Sequence, residues 1–438
     1  MFRLFRSVAP RASRFAKTEL RLTAPAQTPL IQGGIRSKQQ RALFTLRNTS
    51  LGDNSWRTPL VLVMVALGVA TVGFTGYSMF FGPGNLYPKS VRKLLREGGM
   101  AYLRTKDKQD LPKAIECYTK ALAELDELGI NDSKHAPDTP HITGLIARIA
   151  SVYSEMGDLD MVIKMYKELL QRILGDEGIK DPKTQVRKLL DDKLSKTERA
   201  NILRALGCAN KLAETYEMRE QRAERRSIAL PNMKKASSAD SLEASRWYQW
   251  CLQLVMLTYQ NHFNHLQLEQ GKAVTNTPSF DPETLPHYFS VDVVTSLLYN
   301  AATFFANHSQ IDLAQPLLER ALDLMRRGAD GKQESVCRSS VVMSHLANAN
   351  VMKKDLVAAE KWSIEGLQLA KKFPENAECL NSFVALTYDL GAVYEAAGKY
   401  NSARVQYHQA AEIAGDMGDD GAVKLTRDAL ARISSKNA

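Results

Sequence analysis

Cysteine is scarce in this 438-residue chain, and the five cysteines form no recognised motif. Their number is odd and no C-x-x-C pair occurs, so we expect neither a zinc site nor a disulfide. We predict instead that all five are thiols in a helical core. They are Cys117, Cys208, Cys251, Cys337 and Cys379.

The short motifs of catalysis and cofactor binding are also missing. The chain has no H-E-x-x-H, no glycine-rich phosphate loop and no G-x-S-x-G. His262 and His265 could share a helix face, but no third metal ligand is obviously placed beside them. We therefore expect no catalytic residue, no cofactor, no metal and no enzyme. The alternative is an enzyme on a helical scaffold, which would require a buried cluster of titratable residues.

Acidic residues are nearly absent from the first 57 residues, which hold only Glu19 and Asp53 against eleven lysines and arginines. This arm carries +9 of the chain's net charge of +10, so the basic balance gives no support to nucleic-acid binding by the remainder. Its apolar and basic residues separate onto two helix faces, which is typical of a mitochondrial presequence. We predict a presequence and basic arm over 1–50, disordered or cleaved. The alternative is a disordered basic arm on a protein of another membrane.

Charge is absent altogether from residues 60–81. A helix of these 22 residues would be about 33 Å long, enough to cross a bilayer. We predict one transmembrane helix over 58–81. The flanking charges do not decide its direction. A leading presequence would leave the N-terminus in the matrix and the rest in the intermembrane space, and the alternative is complete import followed by re-insertion.

Strand-like alternation is scarce, and apolar residues recur every three or four positions, so we predict an all-α fold. A Gly391 and Tyr394 pair, followed by Ala403, Tyr407 and Ala410, is typical of a tetratricopeptide hairpin. The same frame predicts an α-solenoid of about six hairpins over 86–438, with insertions near 129–140, 218–241 and 271–290. Equivalent small residues of the hairpins are Gly99, Ala150, Gly207, Ala302, Ala347 and Gly391.

A solenoid presents a concave surface lined by the first helix of each hairpin, where peptides bind. The polar residues that this frame places there are candidates for binding. The alternative is that they are ordinary solvated positions. The run of arginines from Arg219 to Arg226 is interpreted as a solvated helix face. The candidates are Arg204, Lys211, Asn300, Asn307 and Asn348.

The order of these parts, with a G-P-G-x-x-Y-P junction at 82–88 and the first hairpins at 88–104 and 142–170, resembles a known family. It is similar to the tetratricopeptide adaptor subunit of the fungal mitochondrial i-AAA protease complex. The resemblance implies a non-catalytic inner-membrane adaptor that binds unfolded or misfolded membrane and intermembrane-space proteins and delivers them for degradation. It implies the i-AAA protease and its other adaptor subunit as partners. The alternative is an assembly or maturation factor for a respiratory-chain complex.

Overall fold

A computed structural model describes residues 87–103, 109–129, 142–191, 194–229, 238–269, 282–328 and 333–436. Within these ranges the chain forms fourteen α-helices, one 3-10 turn at Pro282–Thr284 and no strand, so the predicted all-α fold is confirmed. The predicted presequence and transmembrane helix lie outside the described residues. Among the helices inside those ranges, none combines the length and the apolar character that crossing a bilayer requires.

The bounds of the helices are as follows. They are α1 (Lys89–Leu103), α2 (Leu111–Glu127), α3 (Ile142–Met156), α4 (Leu159–Lys180), α5 (Pro182–Leu189), α6 (Lys196–Ala229), α7 (Ser238–Glu269), α8 (Val291–Asn307), α9 (Ile311–Gly328), α10 (Gln333–Met352), α11 (Leu356–Ala370), α12 (Ala377–Ala396), α13 (Tyr400–Asp416) and α14 (Asp420–Lys436). Most of the segment near 218–241, where we expected an insertion, is helical, because α6 runs to Ala229 and α7 begins at Ser238.

The described helices fall into two compact units, divided between Leu145 and Ile146. The first unit contains the α1/α2 hairpin. Its helices approach closely at Gly98, where a Cβ atom would lie 2.7 Å from the Tyr118 ring. Because the repeat frame had placed this small residue at Gly99, that assignment was wrong by one position. Gly99 has only the Tyr118 hydroxyl nearby, at 3.9 Å.

The second unit packs successive helix pairs side by side and ends in α14. α12 and α13 approach each other closely at Gly391, as the sequence frame predicted. A Cβ atom at this position would lie 2.8 Å from the Tyr407 ring. Tyr407 is fully buried with Ala403 and Ala410, and α14 completes this cluster with Ala429. A small residue on the first helix therefore receives an aromatic ring from the second, as in tetratricopeptide hairpins.

One turn geometry recurs through the second unit. After α3, α8, α10, α12 and α13 the chain places one residue at a positive φ between 64° and 81°. The following N–H then donates to the carbonyl five residues back, at 2.8 to 3.0 Å. This is the hydrogen bond of a helix that ends in a left-handed residue. The residues at positive φ are Gly157, Ser309, Lys354, Gly398 and Gly418.

The expectation for the cysteines is correct for three of them and wrong for two. Cys117, Cys208 and Cys251 are buried free thiols. Cys337 on α10 and Cys379 on α12 form a disulfide, with their Cα atoms 4.6 Å apart. Their separation of 42 residues is close to one repeat, so the two residues occupy facing positions on first helices that lie side by side.

Candidate functional site

Polar residues on the first helices α6, α8, α10 and α12 bind one another across the helix contacts. We call these contacts the first-helix seam. Its members are Glu214, Glu217, Glu220, Asn300, Asn307 and His308 between α6 and α8, Tyr299 and His345 between α8 and α10, and Ser340, Ser344, Asn348, Ser382 and Asp389 between α10 and α12.

Three of the five predicted binding residues meet at the α6–α8 end of the seam. Asn300 donates from Nδ2 to Oε1 of Glu214 at 2.5 Å, and Lys211 donates from Nζ to the other carboxylate oxygen at 2.8 Å. Further along the same two helices, Asn307 donates from Nδ2 to Oε1 of Glu217 at 3.2 Å. The amides of α8 therefore bind the carboxylates of α6.

Glu217 has the most perturbed carboxyl group of this cluster. Burial raises its pKa to about 7, although the Asn307 amide, the His308 ring and the Tyr248 hydroxyl all act to lower it. Tyr248 on α7 donates to Oε2 of Glu217 at 3.4 Å. This carboxyl group thus stands where α6, α7 and α8 meet, and near neutral pH it is divided between its charged and neutral forms.

His308, at the C-terminal end of α8, adds an imidazole to the seam. Its Nε2 atom lies 3.2 Å from Oε2 of Glu220, and its Nδ1 atom lies 2.9 Å from the Phe304 carbonyl. Burial acts to lower the pKa of His308, but the contacts with Glu220 and Phe304 outweigh it and raise the pKa above its usual value. The contact between His308 and Glu220 therefore closes this end of the α6–α8 contact.

Asp389 dominates the α10–α12 part of the seam. It is 3% exposed and accepts hydrogen bonds from Oγ of Ser344 at 2.6 Å and from Nδ2 of Asn348 at 3.3 Å. Burial raises its pKa to about 7 against the lowering effect of these two donors. The hydroxyl oxygens of Ser340 and Ser382 lie 2.6 Å apart, one turn closer to the disulfide. The predicted residue Asn348 thus joins two first helices.

Arg204 is not brought together with the other candidates. Its Nη1 atom donates to Oδ1 of Asn201 at 2.7 Å, within α6. The five predicted residues thus divide into a group of three, Asn348 at a second contact, and Arg204, which bonds Asn201 within its own helix.

The arginine run was interpreted as a solvated helix face. Arg222 is exposed, in agreement with that interpretation, whereas Arg219 is half-buried, and both side chains also bind other helices or their turns. Arg219 pairs with Asp160 of α4 and donates from Nε to Asp240 of α7 at 2.8 Å. Arg222 donates from Nη1 to the Gly157 carbonyl at 2.8 Å. Long side chains on the extended α6 reach the neighbouring helices, so these charges join elements distant in the sequence.

Sequence reasoning missed the acidic half of the seam. Glu214, Glu217 and Glu220 recur every three residues on α6, and this spacing was a readable signal for one helix face. Their partners lie 86 to 90 residues away, and no local pattern encodes that distance. The cluster is the kind of buried titratable group that the enzyme alternative requires. Because each carboxylate is bound by a neighbouring helix, we assign the cluster to helix packing.

Metal binding has no support in the described ranges, since no group of three or more His, Cys, Asp and Glu residues there is placed to hold an ion. A cleft of about 380 Å³ lies between α9, α10 and α11. Its lining includes Met325, Arg326, Met343, Glu365 and Leu369.

No protein-family model matches the chain, and no curated protein sequence matches it either. Several solved structures of helical repeats are similar. BtubC (BKLC) from P. vanneervenii is 18% identical over 70% of this chain and 92% of that chain, with a TM-score of 0.44. A tetratricopeptide repeat protein from Parabacteroides merdae is 16% identical over 78% of this chain and 100% of its own, with a TM-score of 0.28. The P58(IPK) TPR domain is 16% identical over 79% of this chain and 99% of its own, with a TM-score of 0.26.

Proposed function

We propose that this protein is a non-catalytic adaptor that is anchored in the mitochondrial inner membrane. It binds unfolded or misfolded membrane and intermembrane-space proteins and delivers them to the i-AAA protease. The observation that carries the proposal is the row of first helices α6, α8, α10 and α12, joined to one another by the seam. A row of helices offers an extended surface for a segment of another chain.

The chemistry of this row suits varied clients. Lys211, Asn300, Asn307 and Asn348 are half-buried, so part of each polar side chain remains accessible while its neighbour holds it in place. Amides both donate and accept hydrogen bonds, and can therefore bind the backbone of an extended chain whatever its sequence. A chain captured in this way is recognised mainly by its lack of structure, which is the property that a degradation adaptor needs.

The disulfide supports the proposed compartment. Cys337 and Cys379 are both buried, and such a bond persists only where thiols are not kept reduced. An intermembrane-space location fits a bonded pair better than a reducing matrix does.

Tethering supplies the remaining part of the proposal. The uncharged segment 60–81 would hold the helical repeats close to a protease in the same membrane. A captured client then meets the protease at a raised effective concentration, without any new contact between them.

The test is to purify the full chain from mitochondria in a mild detergent and to follow the turnover of a misfolded inner-membrane substrate. We expect the AAA protease to be recovered and substrate turnover to slow when residues 82–438 are deleted with the anchor kept. Recovery of respiratory-complex subunits instead, with unchanged turnover, would contradict the proposal and favour the assembly-factor alternative.

A further inference from the structure

The face of α1 that points away from α2 has an unusual composition. Val91, Gly98 and Ala101 bury the inner side of this helix against its hairpin partner. On the outer side, four basic residues at positions i, i+3, i+4 and i+7 fall within an arc of about 100°. Three of them are exposed and Arg92 is half-buried. They are Lys89, Arg92, Lys93 and Arg96.

Two large apolar residues continue this outer face towards the end of the helix. Met100 is 59% exposed and Leu103 is 77% exposed. Glu97 is the one acidic residue among those that line the shallow cleft of about 280 Å³ on this face. Long cationic side chains beside exposed apolar ones are the composition of a helix that lies in the headgroup region of an anionic membrane.

The sequence places this face close to a bilayer. Seven residues, 82–88, separate the uncharged segment 60–81 from Lys89. Even when fully extended, seven residues span at most about 25 Å. If residues 60–81 cross the membrane, the first turn of α1 lies within reach of the headgroups.

We propose that the outer face of α1 docks onto anionic phospholipid headgroups of the membrane that holds residues 60–81. The proposal rests on the membrane span that is part of the proposed function. Lys89, Lys93 and Arg96 bind the lipid phosphates, while Met100 and Leu103 enter the boundary with the acyl chains. Docking then fixes the α1/α2 hairpin at the membrane surface.

The experiment uses the full chain with Leu103→Cys, labelled with an environment-sensitive fluorophore. The three native free thiols are buried, so the label is directed to position 103. The protein is reconstituted into phosphatidylcholine vesicles with or without phosphatidylglycerol, and lipids brominated on the acyl chain serve as quenchers. We expect quenching only with phosphatidylglycerol, and we expect added salt to reduce it, because salt screens exposed charges.

Charge variants separate docking from general electrostatics. The Lys89→Gln/Lys93→Gln/Arg96→Gln variant should lower the ratio of docked to undocked helix about 100-fold, since each basic residue near an anionic surface contributes about fivefold. A control with the same charge change uses exposed residues of α5, in the other unit, and should keep the quenching of the wild type. The control is Lys183→Gln/Arg187→Gln/Lys188→Gln.

Three results would overturn the docking proposal: no quenching in either lipid, equal quenching in both lipids, or full quenching in the α1 variant. Alkaline extraction of the same vesicles tests the membrane span separately. Release of the chain by alkali would contradict the anchor, while the signal at position 103 still decides whether α1 contacts anionic lipid. Failure of the docking and failure of the anchor are thus read from different measurements.

Discussion

Removal of the Cys337–Cys379 disulfide should destabilise the second unit by an amount that follows from the length of the loop that the bond closes. The bond closes a loop with a sequence separation of 42 residues. Chain-entropy arguments assign about 4 kcal/mol at 25 °C to a loop of this length. The Cys337→Ala/Cys379→Ala variant should therefore lose about 4 kcal/mol of unfolding free energy relative to the oxidised wild type.

The assay is urea denaturation followed by circular dichroism, with and without reductant. Reductant should lower the stability of the wild type by a similar amount, and it should leave the double-alanine variant unchanged. The matched control is Cys208→Ala/Cys251→Ala, which removes two buried thiols that form no disulfide, so this variant should keep the full response to reductant. In the unfolded, unreduced wild type, we expect three titratable thiols.

Two results would refute this reasoning. Five titratable thiols in the unreduced protein would show that the bond does not form. A bond that forms but whose reduction leaves the urea midpoint unchanged would show that the contacts between α10 and α12 already hold these helices together without it.

Three further predictions concern single residues of the second unit. The first compares the unfolding free energy of the wild type with that of Asp389→Asn at several pH values. The wild type should lose up to about 4 kcal/mol relative to the variant as the pH rises from about 4 to 7, because the raised pKa of Asp389 favours the neutral carboxyl group in the folded state. A difference that does not depend on pH would contradict this. The second is that Gly391→Ala should lower the unfolding free energy by about 1 to 3 kcal/mol, because the new Cβ atom is forced against the Tyr407 ring. Gly415→Ala is the control and should not destabilise the protein, since no atom lies within 4 Å of the new Cβ. Equal effects of the two variants in thermal denaturation would refute the close approach at Gly391. The third is that Lys354→Gly should raise the melting temperature, because it relieves about 1 kcal/mol of left-handed backbone strain, and that Gly398→Ala should lower the melting temperature. Changes in melting temperature of the opposite sign would exclude this turn geometry.

The hairpins could be predicted from the sequence because their chemistry is local. A small residue and an aromatic ring, such as Gly391 and Tyr407, lie sixteen positions apart on two helices joined by a tight turn. The frame was wrong at the pair Gly98 and Gly99. Both residues are glycine, and only the position of the Tyr118 ring shows which of them makes the close contact.

The seam could not be predicted because it depends on how one hairpin stacks on the next. Glu214 and Asn300 lie 86 residues apart, and their contact requires α6 and α8 to meet in one register. The disulfide was missed for the same reason. Its separation of 42 residues was a repeat-length signal, but facing positions on adjacent first helices become evident only once the stacking is known.

The seam also explains why the binding candidates were only partly informative. Polar residues such as Asn307 and Asn348 lie on the first helices, and yet they bind the neighbouring helix as well as being accessible to solvent. A polar residue on a first helix can therefore bind the neighbouring helix, face solvent, or do both, and the sequence pattern does not distinguish these arrangements.

Site-specific photo-crosslinking tests the central claim that clients bind along the first helices. A photo-crosslinking amino acid replaces Thr303, which lies between Asn300 and Asn307 on α8. The Thr303 hydroxyl bonds the Asn300 carbonyl of its own helix, so its replacement keeps the bonds between helices that define the seam. The matched position is Val357 on the second helix α11, which is 82% exposed. We predict adducts with an unfolded inner-membrane client from position 303 and few from position 357. Equal adducts from both positions, or adducts from position 357 alone, would contradict the account.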